Sequence, residues 1–117
     1  MAKIAVLSCK RIKDVSCIAC AKCHKGMAEK NGEYARHDAI ELTAMSDCGD
    51  CPGLVVPRVK LLKEVTKSLG REFDTVHFGT CMKIAMRTAA CPIDFEKVKG
   101  ILEEKFGVKV ILGTHSY

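Results

Sequence analysis

Cys9, Cys48, Cys51, Cys81 and His115 fall at or just beyond the ends of strand-like segments, and Cys91 follows in the loop after the third. That placement matters more than the total of eight cysteines. Open α/β sheets gather ligands in the crevice beyond the carboxyl ends of their strands, and thiolate with imidazole is the donor set of zinc. The sharpest local motif is Cys48-Gly49-Asp50-Cys51-Pro52-Gly53. Two residues between the cysteines let both sulfurs turn toward one centre, Gly49 permits a tight loop, and a following helix N-terminus favours thiolate charge. The same spacing serves a metal or a redox dithiol. Cys81, Cys9 and His115, converging on it at one sheet edge, tip the reading toward metal and away from thioredoxin-like exchange.

A second group is Cys17-Ile18-Ala19-Cys20-Ala21-Lys22-Cys23-His24. Its C-x2-C-x2-C spacing matches the first three ligands of a bacterial ferredoxin run, whose fourth Cys precedes a proline. Here that position is Met27, followed by Ala28. Cys17, Cys20 and Cys23 are therefore candidates for holding a cofactor only if a remote thiol closes the set, and Cys51-Pro52 and Cys91-Pro92 offer two. The bland reading makes Cys20 and Cys23 small buried hydrophobes on a helix. Cys91 either covers the crevice as a ligand or fills space under its loop. His77 is expected in the core or on a sheet face, and His24 and His37 at the surface.

Four strands must position these groups. Lys3–Ser8 is a continuous apolar run of the kind buried on both faces; Ala39–Met45 alternates; Asp74–Thr80 leads to Cys81; and Val108–Leu112 leads to Gly113-Thr114-His115. Between them the apolar period becomes helical. A first helix is expected over much of Cys20 to Lys30. Val55, Val59, Leu62, Val65 and Leu69 form the stripe of a second, which must start close behind Gly53 so that Pro57 lies in its first turn. Lys83 to Thr88 reads as a short extra turn. The last helix has Asp94 as N-cap, Val98, Ile101, Leu102 and Phe106 as inner face, and Gly107 as its stop. Alternation of strand and helix implies a parallel sheet with right-handed crossovers. The expected fold is α/β: a small three-layer, flavodoxin-like domain with a four-stranded, mostly parallel sheet in the order 2-1-3-4, spanning residues 1–117 as one unit.

Composition narrows the function classes. With 117 residues and 48% apolar side chains, the chain can fill a core without covalent staples. The N-terminal apolar run is too short for a signal peptide, and no segment approaches a membrane span. A cytoplasmic location is therefore expected, where thiols stay reduced and clustered cysteines bind metal or do redox work. The net charge of +5 is spread along the chain, without an aromatic stacking platform, so neither a nucleic-acid nor a membrane partner is expected.

Together, Cys9, the thiols near Cys17 and Cys23, Cys48-Gly49-Asp50-Cys51-Pro52-Gly53, Cys81, Cys91-Pro92 and Gly113-Thr114-His115 resemble the CGGC-domain family over nearly the whole chain. The resemblance implies a small prokaryotic protein that binds metal, with zinc the implied ion. The departure is Asp50, where the family name expects glycine. Three functions stay in play: a metal-binding protein, with zinc first; an iron–sulfur electron-transfer protein with a redox protein partner; and a metal-free thiol oxidoreductase. No Ser-His-Asp set or phosphate-binding glycine loop is evident.

Overall fold

The computed structural model describes residues 2–10, 12, 18–49, 54–88 and 92–115. Strand β1 (Ala2–Ser8) is central: it pairs in parallel with β2 (Ile40–Asp47) on one side and β3 (Thr75–Phe78) on the other, and β4 (Lys109–Leu112) adds to β3. The sheet order is 2-1-3-4 and all pairings are parallel. Ile4 through Leu7 are fully buried because both sheet faces are covered. Ile4 and Val6 pack with Tyr34 and Met27, on the side of α1 (Ala21–Glu29). Ala5 and Leu7 join the larger cluster with Val55 and Val59 of α2 (Val55–Ser68) and Leu102 of α4 (Phe95–Phe106).

Most helix signals act as the sequence suggests. Pro57 sits in the first turn of α2. Asp94 accepts a 3.2 Å hydrogen bond from the Lys97 N–H at the start of α4, and Gly107 ends that helix in the left-handed region. The α2 stripe needs correction: Val65 and Leu69 are exposed, whereas Thr66 is buried beside Val55 and Val59. Its hydroxyl donates to the Leu62 carbonyl at 2.8 Å, which satisfies the polar group in the core-facing position.

The third strand also stops earlier than expected, at Phe78, and the anticipated short turn is a full helix, α3 (Thr80–Thr88). The N–H groups of Met82 and Lys83 both donate to the Gly79 carbonyl, so helical bonding begins at that glycine. Cys81 consequently lies in the first turn of a helix and not at a strand end. Among the described residues no helix is long and apolar enough to cross a membrane.

The chain leaves β1 toward one sheet edge, through α1 to β2, and leaves β3 toward the other, through α3 and α4 to β4. Two hydrogen-bonded neighbours thus send their connections in opposite directions. That is the topological switch point at which open α/β sheets form a crevice.

Candidate functional site

Cys9 follows β1 and Cys81 follows β3, so these two thiol-bearing residues flank the switch point. The backbone N–H of Cys9 donates to Cys81 Sγ at 3.1 Å, joining residues 72 positions apart. One step back, the Gly79 N–H donates to the Leu7 carbonyl at 2.7 Å, which holds the end of β3 against β1. On the other side of β1, the Cys48 N–H donates to the Ser8 carbonyl at 3.0 Å. Cys9, Cys48 and Cys81 are all buried and share the larger core cluster. Two of these thiols thus follow the ends of β1 and β2 directly, and the third lies in the first turn of the helix that follows β3.

The two ends of the loop after β2 are tied together. Asp47 Oδ1 accepts the Gly49 N–H at 2.8 Å, and Leu54 N–H donates to the Cys48 carbonyl at 2.6 Å. Gly49 has φ +81°, and a Cβ there would lie 2.8 Å from Leu54 Cβ. A side chain is excluded at this position by both conformation and contact. Arg58, on the second turn of α2, reaches back to Asp47 at 3.5 Å, and the same guanidinium lies beside Gly49. Composition alone places Arg58 among solvated cations; its role as a brace for this loop depends on α2 packing against β2.

A second polar group lies toward α1. Cys23 Sγ is 3.4 Å from Thr114 Oγ1, and either atom can donate. Thr80 and Thr114 clasp reciprocally: each backbone N–H donates to the other's hydroxyl, at 3.1 and 3.0 Å. Thr80 Oγ1 also donates to the His115 carbonyl at 2.6 Å. His115 is buried, and a Cβ on Gly26 of α1 would come within 3.0 Å of its own Cβ. Burial first, and the nearby Cys23 second, hold the Tyr34 phenol well above its usual range, so Tyr34 is neutral. Because Thr80 and Cys81 are consecutive, the first turn of α3 touches both polar groups.

His77 is fully buried, as its position in β3 implies, but His37 is half-buried and not a surface residue. Its Nε2 lies 2.9 Å from His77 Nε2, while His77 Nδ1 donates to the Gly113 carbonyl at 3.0 Å. A carbonyl only accepts, so Nδ1 of His77 carries the proton, and its Nε2 accepts from His37. Burial is the first cause that lowers the pKa of both rings.

Of the residues singled out from sequence, Cys9, Cys48 and Cys81 are buried in the same large apolar cluster of the core, and Cys23 and His115 lie on the α1 side, next to Thr114 and Gly26 respectively. Cys20 is buried just before α1, at the end of a short 3-10 turn. Cys17, Cys51 and Cys91 lie outside the described residues, as does Asp50. Among the described residues, no group of three or more His, Cys, Asp and Glu side chains is close enough together to hold a metal ion. Thr80 and Tyr34 carry no motif signal, and Thr114 enters the sequence reading only as part of Gly113-Thr114-His115; the strand-like runs before Thr80 and Thr114 are the trace that brings the two threonines to one edge.

A family model described as CGGC domain matches residues 3–115. An uncharacterized protein of Methanocaldococcus jannaschii is 32% identical over 119 residues, covering 97% of this chain and 87% of its own length. No solved structure matches.

Proposed function

Because this chain belongs to the CGGC domain family and carries three buried thiols around one switch point, we propose that it binds a thiophilic metal ion, zinc in the first instance. The observation that carries the reading is the 3.1 Å bond from the Cys9 N–H to Cys81 Sγ. It lies at the crevice where α/β sheets take their ligands, and an N–H directed at sulfur offsets the negative charge of a coordinating thiolate. The Cys-x-x-Cys motif of Cys48 and Cys51 supplies the first two donors, with Cys81 and then Cys9 completing a four-sulfur set and Cys91 in reserve, while His115 lies with Gly26 on the α1 side. Arg58, 3.5 Å from Asp47, adds positive charge beside the loop that carries Cys48. Zinc supplies a closed tetrahedral centre with four such ligands, or a Lewis acid with one open position when three are protein-derived. A reducing compartment such as the cytoplasm keeps these thiols available.

A second reading places an iron–sulfur cluster on Cys17, Cys20 and Cys23. Ala19 and Cys20 both have φ of 55°, two consecutive non-glycine residues in the left-handed region. Such conformations cost on the order of 1–3 kcal/mol each and gather at ligand-holding loops. Electron transfer would then require a redox protein partner.

Metal analysis of Cys-to-Ser variants separates the two. Cys48→Ser, Cys51→Ser and Cys81→Ser are expected to lose bound metal, whereas Cys20→Ser keeps it. If Cys20→Ser empties the protein while Cys48→Ser stays loaded, the switch-point assignment is wrong and the N-terminal run is the centre.

A further inference from the structure

Helix α3 has two different faces. Cys81, Met82 and Ala85 are buried, while Thr80, Lys83, Ile84 and Arg87, at helical spacing, line a cavity of about 310 Å³. Its opposite walls are Gly32 and Glu33 on one side and Gly113 to His115 on the other. This volume is at the lower end of the range typical of small-molecule sites.

The charge in the cavity is unbalanced. Lys83 and Arg87 are one turn apart, where like charges repel, and among the described residues neither has an ion-pair partner. The Glu33 carboxylate, the acidic group in the wall, is already paired with Arg36. Beside the two cations on the same helix face Ile84 is 50% exposed, a large apolar side chain in the cavity lining. Gly113, with φ +110°, lets the walls approach: a Cβ there would meet Glu33 Cγ at 3.2 Å and Lys83 Cδ at 4.0 Å.

We infer that this cavity binds a small organic anion, its carboxylate or phosphate held by Lys83 and Arg87 and its hydrocarbon part against Ile84. The site is separate from the switch-point thiols and does not depend on a bound metal. The chain's net charge of +5 favours the approach of anions over cations. A bidentate guanidinium and a mobile ammonium suit either headgroup, and the apolar side chain beside them distinguishes an organic anion from an inorganic one.

Calorimetric titration of the full chain with benzoate, phenyl phosphate, inorganic phosphate and benzyl alcohol at low ionic strength tests this. The expected result is saturable one-to-one binding of benzoate or phenyl phosphate, and the tighter of the two identifies the headgroup. Inorganic phosphate should bind more weakly than phenyl phosphate, and benzyl alcohol not at all. Lys83→Gln and Arg87→Gln should each weaken binding about tenfold, the scale of one lost charge-assisted contact, with the melting temperature unchanged. Lys105→Gln, on exposed α4 surface, should bind as the native chain does. Absence of saturable binding by both organic anions, equal binding of benzyl alcohol, or undiminished binding in the Lys83→Gln/Arg87→Gln double variant overturns the inference.

Discussion

The same glycine-to-alanine change should have opposite effects at two places in this chain. At Gly100, on exposed α4 surface, an added Cβ meets nothing within 4 Å. Alanine there gains helix propensity and loses unfolded-state entropy, together worth about 0.5–1 kcal/mol. At Gly79 the new methyl would lie 3.1 Å from the Leu7 carbonyl oxygen and 3.2 Å from Cys81 Sγ. The first is backbone, tied to the Gly79 N–H at 2.7 Å, and the second already accepts from Cys9. Relief therefore means moving the β3–α3 junction away from β1. Overpacking of this kind costs about 1–3 kcal/mol, against an entropic gain of about 0.4–1 kcal/mol, which leaves a net loss on the order of 1–2 kcal/mol. For a chain of this length each kcal/mol is about 3–6 °C in melting temperature. Gly100→Ala should thus raise the melting temperature by about 2–5 °C and Gly79→Ala lower it by about 4–10 °C, read by circular dichroism on metal-free protein. A Gly79→Ala protein as stable as the native chain would show that β1, β3 and Cys81 are not in the close contact from which the site is built.

Removing the N-cap with Asp94→Ala should cost about 1 kcal/mol, measured by urea denaturation at pH 7; no change would mean the Lys97 N–H is equally well satisfied by water. His77 supplies a pH dependence. Its folded pKa is lowered from 6.5, mainly by burial, so below about 6.5 the unfolded chain takes up a proton that the folded chain resists. Stability should fall as pH drops from 7 to 5.5, approaching about 1.4 kcal/mol per pH unit for this one group. His77→Gln should show a shallower slope over that window, and equal slopes would remove His77 as the cause. Chelation of metal-loaded protein should lower the melting temperature, because an ion bound to the folded state adds stability; coincident loaded and chelated curves would dissociate metal from the fold.

The central strand was legible because it is buried on both faces: Ile4 to Leu7 form an uninterrupted apolar run, its residues alternating between the core clusters on the two sides of the sheet. Helix α4 was legible at both ends through Asp94 and Gly107. The errors are equally local. Thr80 reads as strand, being β-branched, yet Gly79 turns the chain and starts α3 there. In α2 the three-and-four step rule carried the stripe to Val65 and Leu69, whereas the buried face runs through Thr66, whose hydroxyl finds a carbonyl one turn back. The cysteine motifs located the switch-point edge but not its division into two groups. Cys23 meets Thr114 across 91 positions and His37 meets His77 across 40, and such pairings are set by packing and leave no spacing pattern in the chain.

If the switch-point thiols hold a metal ion, as proposed above, the ion should accompany the protein through purification. Anaerobic purification of the full chain, followed by zinc, iron and acid-labile sulfide analysis and an absorption spectrum, tests it most directly. The expected result is about one zinc per chain, held as a colourless tetrahedral centre that reductant does not alter. A brown protein with iron and sulfide that bleaches on reduction would contradict the zinc assignment in favour of a cluster. A metal-free protein that cycles Cys48 and Cys51 between thiol and disulfide would contradict metal binding itself.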